Sequence, residues 1–113
     1  MKAKEILEEV RKRFNGADEH EIAVECCAAI VFEIPNIMKV RNVQSEGALL
    51  SIINEQKSKF KAVYKLMAPE KLRPFDEVWE IVFKTVASDA YEVWQAMEAT
   101  ASRKTSRIRK LRR

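Results

Sequence analysis

Apolar side chains in this chain fall at steps of three and four over most of its length, the spacing of one face of an α-helix. In the first segment, Ala3 to Phe14, Ile6, Leu7, Val10 and Phe14 share a face. Glu8/Lys12 and Glu9/Arg13 stand four apart on the opposite side, where they can pair. Asn15-Gly16 reads as the stop, because glycine accepts the left-handed backbone that closes a helix.

Asp18-Glu19-His20-Glu21 reads as a fresh start, with Asp18 capping free amides and Glu21 three residues on. From Ile22 to Ile34 the second segment is apolar nearly all round, which predicts a helix set deep among others. Pro35 is expected to end or kink it, since proline lacks an amide hydrogen and disfavours helical backbone in the residue before it. Asn36 to Val43 then reads as a connection with a short helical piece. The third helix is expected from about Ser45 to Met67, its stripe of Leu49, Ile52, Ile53, Phe60, Val63, Tyr64 and Met67 interrupted by one polar residue, Gln56.

The longest stripe runs from Pro74 to Thr100: Phe75, Val78, Trp79, Val82, Phe83, Val86, Ala90, Val93, Trp94 and Met97. Ser88-Asp89 are weak helix formers that could split it. The stripe keeps its phase across them, so one continuous helix from Pro74 to Ser102 is predicted, roughly 40 Å long. It holds both tryptophans, and the core is expected to be built against it. The fold class that follows is all-α: an elongated bundle of four main helices with a basic, flexible or conditionally helical C-terminal tail.

Composition agrees with helices. Two glycines and three prolines among 113 residues, with 34% charged and 47% hydrophobic positions, disfavour short strands joined by turns. The size suits one domain, read as residues 1–102 with the tail at 103–113. The net charge of +4 conceals a division: the last eleven residues carry seven Lys/Arg and no acid, leaving 14 basic against 17 acidic residues before them. The body is therefore about −3 and the tail +7.

The tail is the stretch whose chemistry points to a partner. Arg103, Lys104, Arg107, Arg109, Lys110, Arg112 and Arg113 form the candidate nucleic-acid contact, since guanidinium forks match phosphate oxygens in pairs and read little sequence. The competing reading is a solvated terminus that aids solubility. Ile108 and Leu111 make a thin membrane anchor, and Arg103-Lys104-Thr105-Ser106 has the form of a basophilic kinase site. Lys57, Lys61 and Lys65, four apart on the third helix, are a candidate secondary basic patch, or simply its wet face opposite acids such as Asp76, Glu77 and Glu80. Trp79 and Trp94 differ by about 60° around the helix, so both belong to the stripe; core packing is the default and a dimer or partner interface the alternative.

Other chemistry finds little support. His20 reads as an exposed first-turn residue, and an enzyme would need a pocket gathering it with Glu25, Glu33 or Tyr64. Cys26 and Cys27 are adjacent, so their side chains diverge by about 100°; they read as buried thiols in a reducing compartment, without a disulfide or zinc site. Neither a secretory leader nor a membrane-spanning run is evident, and the expected location is cytoplasmic. A helix-turn-helix around Phe14 to Asp18 is rejected because the second helix is too apolar for a groove. The expectation is a non-enzymatic binding or assembly module without metal or cofactor. Its tail contacts DNA or RNA phosphates, and its body associates with itself or a protein partner. The alternative is a protein–protein adaptor or inhibitor with the tail as a spectator.

Overall fold

A computed structural model of the protein describes residues 2–67, 70 and 72–111, with the side chains of 100–111 left out. It is all-helical over the described residues, with five helices: α1 (Ala3–Arg13), α2 (Glu19–Val40), α3 (Glu46–Lys65), α4 (Phe75–Val86) and α5 (Ser88–Leu111). The overall extents are 55 × 35 × 21 Å.

Local chemistry sets most boundaries. Gly16, at φ 92°, closes α1 in the left-handed region. Asp18 then opens α2, its Oδ1 accepting from the Glu21 amide at 2.8 Å. Ser45 does the same for α3, its hydroxyl accepting from the Ala48 amide at 3.1 Å. Tyr64 near the end of α3 donates its hydroxyl to the Arg73 carbonyl, which holds the return connection against the helix.

Two boundaries differ from the sequence reading. Helix α2 passes through Pro35 and ends five residues later, so Asn36–Val40 is helix and not connection. Beyond Pro35, Ile37 and Met38 pack against the core, and that burial offsets the amide the proline lacks. The real stop is Asn42, at φ 51°. Around it the Asn42 and Val43 amides fold back to the Lys39 and Met38 carbonyls.

The second difference is a break at Ala87, so Pro74–Ser102 is not one helix and the expected count of four becomes five among the described residues. The Ala87 amide still bonds the Phe83 carbonyl at 3.0 Å, while its own carbonyl accepts from Tyr91 at 2.9 Å and starts α5. The reason is visible in the contacts the break permits. Tyr91 donates its hydroxyl to Glu80 at 3.0 Å and meets Phe83 edge-on at 5.4 Å. On a straight helix residues 80 and 91 would stand about 16 Å apart along the axis, beyond reach. Tyr91, outside the predicted stripe, is buried, whereas Val93, Trp94 and Met97 are half-buried.

The hub is α2, which packs against α1, α3 and α4. Its Ala23, Cys26, Cys27, Ile30, Val31 and Ile34 are at most 1% exposed. Against them lie Ile52, Ile53, Phe60 and Val63 of α3 and Val78, Trp79 and Phe83 of α4. Aromatic rings run from α3 through α4 to α5: Phe60 stacks on Phe75 and Trp79, Trp79 meets Phe83, and Phe83 meets Tyr91 and Trp94. The long aromatic stripe is thus one wall of the core, and α2 its centre.

Gln56, the polar residue within the α3 stripe, is 2% exposed. Its amide nitrogen donates to the Ile30 carbonyl at 2.8 Å and to the Glu33 carboxylate at 3.0 Å. Lys59 reaches the same carboxylate at 3.3 Å. A buried amide that finds partners only in one register ties α3 to α2 at a fixed height.

Candidate functional site

The seven basic tail residues, Arg103, Lys104, Arg107, Arg109, Lys110, Arg112 and Arg113, lie outside the residues whose side chains are described. What the structure places is the surface of the helical body.

The α3 lysines are partly engaged within the chain. Lys57 lies 3.6 Å from the Asp76 carboxylate, and the Lys61 ammonium sits over the Phe75 ring at 5.9 Å. Both reach the N-terminal turn of α4, so this side of the ridge faces an acid, one of those expected opposite it. Lys65 is exposed and makes no ion pair among the described residues. Lys57 and Lys61 line one cleft with Asn54, Ser58, Phe75 and Asp76, and Lys65 lies outside it.

The tryptophans separate. Trp79 is 1% exposed, between Phe60 and Phe83, and its surface is already spent inside the monomer. It therefore offers nothing to a partner. Trp94 is half-buried against Phe83 and Tyr91 and keeps part of its ring at the surface.

His20 is not exposed as expected. It is half-buried in a cleft between α2 and α4 with Val24, Arg73, Glu77 and Ile81, and its Nδ1 is buried without a hydrogen-bond partner among the described residues. Glu33 turns instead to Gln56 and Lys59, and Tyr64 to the Arg73 carbonyl. None of Glu25, Glu33 and Tyr64 lines the cleft that holds His20. No group of three His, Cys, Asp or Glu side chains converges to hold a metal ion among the described residues. Cys26 and Cys27 are free and buried; burial pushes their thiols up to about 11 and about 12. At neutral pH both are protonated and poorly nucleophilic. No helix among the described residues is long and apolar enough to cross a membrane.

Sequence reasoning missed the apolar surface on α2 and its neighbours. Helix α2 is not enclosed all round: Ala29, Phe32, Pro35 and Val40 are exposed, Phe32 to 74%. Across the α2–α4 seam Ile81 is also exposed. Where α2, α3, α4 and α5 meet, Pro35, Met38, Leu49, Val86, Ala90 and Val93 line an apolar cleft of about 390 Å³. A smaller one, floored by Ile6, Val10, Ala29 and Ile30, runs between α1 and α2. The available signal was the charge on the far side of α2. Glu21, Glu25 and Lys39 recur among its apolar residues at helical spacing, which marks a face turned to water.

Comparison of the chain with protein-family models, curated proteins and solved structures finds no match. The functional reading therefore rests on the residues themselves.

Proposed function

We propose that this protein is a non-enzymatic helical binding module whose C-terminal basic segment contacts the phosphates of DNA or RNA with little sequence preference. The observation that carries the reading is the segregation of charge: seven Lys/Arg and no acid in residues 103–113, against a body of about −3. A body of that sign repels a polyanion, so attraction is concentrated in one short stretch. Arginine predominates there, five to two over lysine, which favours paired contacts to phosphate oxygens. Lys65 adds an exposed cation on the body.

The test is deletion of Arg103–Arg113. Among the described residues the last buried side chain is Tyr91, so thermal stability should be unchanged. Binding to oligonucleotides should be lost together with its salt dependence, whose log–log slope on duplex DNA reaches about −6 when all seven charges engage phosphates. Full retention of binding by the truncated chain would refute the role given to the tail.

A second reading, a protein–protein adaptor, is favoured by the apolar cleft at the α2–α5 junction and the exposed Phe32 and Ile81. It expects no salt-dependent shift with oligonucleotides from the full chain.

A further inference from the structure

We infer that two copies of this chain associate through the outer face of α2, the two α2 helices packing antiparallel about a two-fold axis. The geometry begins with Glu21 and Lys39. Eighteen residues separate them, five full turns at 3.6 residues per turn, so they lie at one azimuth about 27 Å apart along the helix. Midway between them is position 30, and flanking it on the outer face are Ala28 and Phe32, one turn apart.

A two-fold axis through that midpoint carries residue i of one copy onto residue 60 − i of the other. Glu21 then faces the second copy's Lys39, Lys39 faces its Glu21, and each Phe32 ring lies over the small Ala28 opposite. The face is complementary to itself in charge at both ends and in size at the centre, which is what an isologous contact requires. A parallel arrangement would set Glu21 against Glu21, lysine against lysine and ring against ring.

The side chains are available for this role. Glu21, Phe32 and Lys39 are exposed and Ala28 is half-buried. Neither Glu21 nor Lys39 forms an ion pair within the chain among the described residues. Phe32 is the most exposed aromatic side chain described. A second copy is the occupant favoured over an unrelated helix because the acid–alanine–phenylalanine–lysine order supplies its own complement. The inference does not depend on what the tail binds.

Sedimentation of the full chain across the micromolar range is the test. The wild type should show a concentration-dependent dimer, and Phe32→Glu should be monomeric throughout, with circular dichroism unchanged and, at concentrations where the wild type is itself monomeric, the same melting temperature, since the position is exposed. Glu21→Lys alone and Lys39→Glu alone should each weaken the dimer roughly three- to tenfold, because each places like charges together twice. The combined Glu21→Lys/Lys39→Glu chain should recover wild-type association. A wild type monomeric over the whole range, or a Phe32→Glu chain that dimerises as well as wild type, overturns the inference. So does a double variant no better than the singles, whatever the tail deletion shows.

Discussion

Val31 and Phe32 are neighbours on α2, both strongly apolar, yet one is fully buried and the other 74% exposed. The contrast extends along the helix. On the inner face Cys27, Ile30 and Ile34 touch α3 and α4, while on the outer face Ala29, Phe32 and Pro35 touch solvent. Hydrophobicity alone does not place a residue in a core. A helix surrounded on three sides buries what its neighbours cover, and the remaining apolar strip becomes a surface with a different use.

Substitution on the two faces should separate them most sharply. Ile34→Ala removes a fully buried side chain and should cost about 2 to 5 kcal/mol in urea unfolding, as cavity-forming changes do. Phe32→Ala, measured at concentrations where the chain is monomeric, should change stability by less than about 0.5 kcal/mol. Equal losses at the two positions would dissolve the distinction.

A smaller effect is expected where the inner face carries its one polar tie. Gln56→Ala loses the bonds to the Ile30 carbonyl and Glu33 and leaves a small void, a cost of about 1 to 3 kcal/mol. A denaturation curve superimposing on wild type would mean that the α2–α3 register is held by packing alone.

The mildest probe of the inner face is pH. Cys26 and Cys27 are raised in the folded chain from the ordinary 9.0 to about 11 and about 12, so below pH 9 their burial contributes fully. As pH climbs from 9 towards 11 to 12, the unfolded chain releases thiol protons that the folded chain retains, and stability should fall. Replacing both by alanine should flatten that decline, and thiol-directed reagents should react with the native protein only as fast as it opens. Rapid labelling at neutral pH would place the thiols nearer the surface than the structure has them.

The sequence exposed the helices well because their signals are local. Gly16, Asp18 and Ser45 act through backbone atoms within a few residues, and the stripes of α1 and α3 follow from the helical period. It read Pro35 as an end or a kink of the helix because proline's cost is local too. Ile34 and, on the far side of that proline, Ile37 and Met38 are held by distant segments that no local pattern contains. The Ser88-Asp89 split was visible as weak propensity, and the unbroken stripe argued against it. What decided the matter was Tyr91 folding back onto Phe83 and Glu80.

Surface chemistry divides in the same way. The basic segment at 103–113 is a property of composition and can be read without a fold. That Trp79 is spent in the core, that His20 sits in a cleft, and that Phe32 is left to solvent depend on which helices lie beside them. Helix type, caps and charge segregation were thus determined along the chain, where the interacting atoms are covalent neighbours. The break at Ala87, the passage through Pro35 and the choice of exposed apolar face were decided in three dimensions, because burial is a contact between segments and no single segment encodes its neighbour.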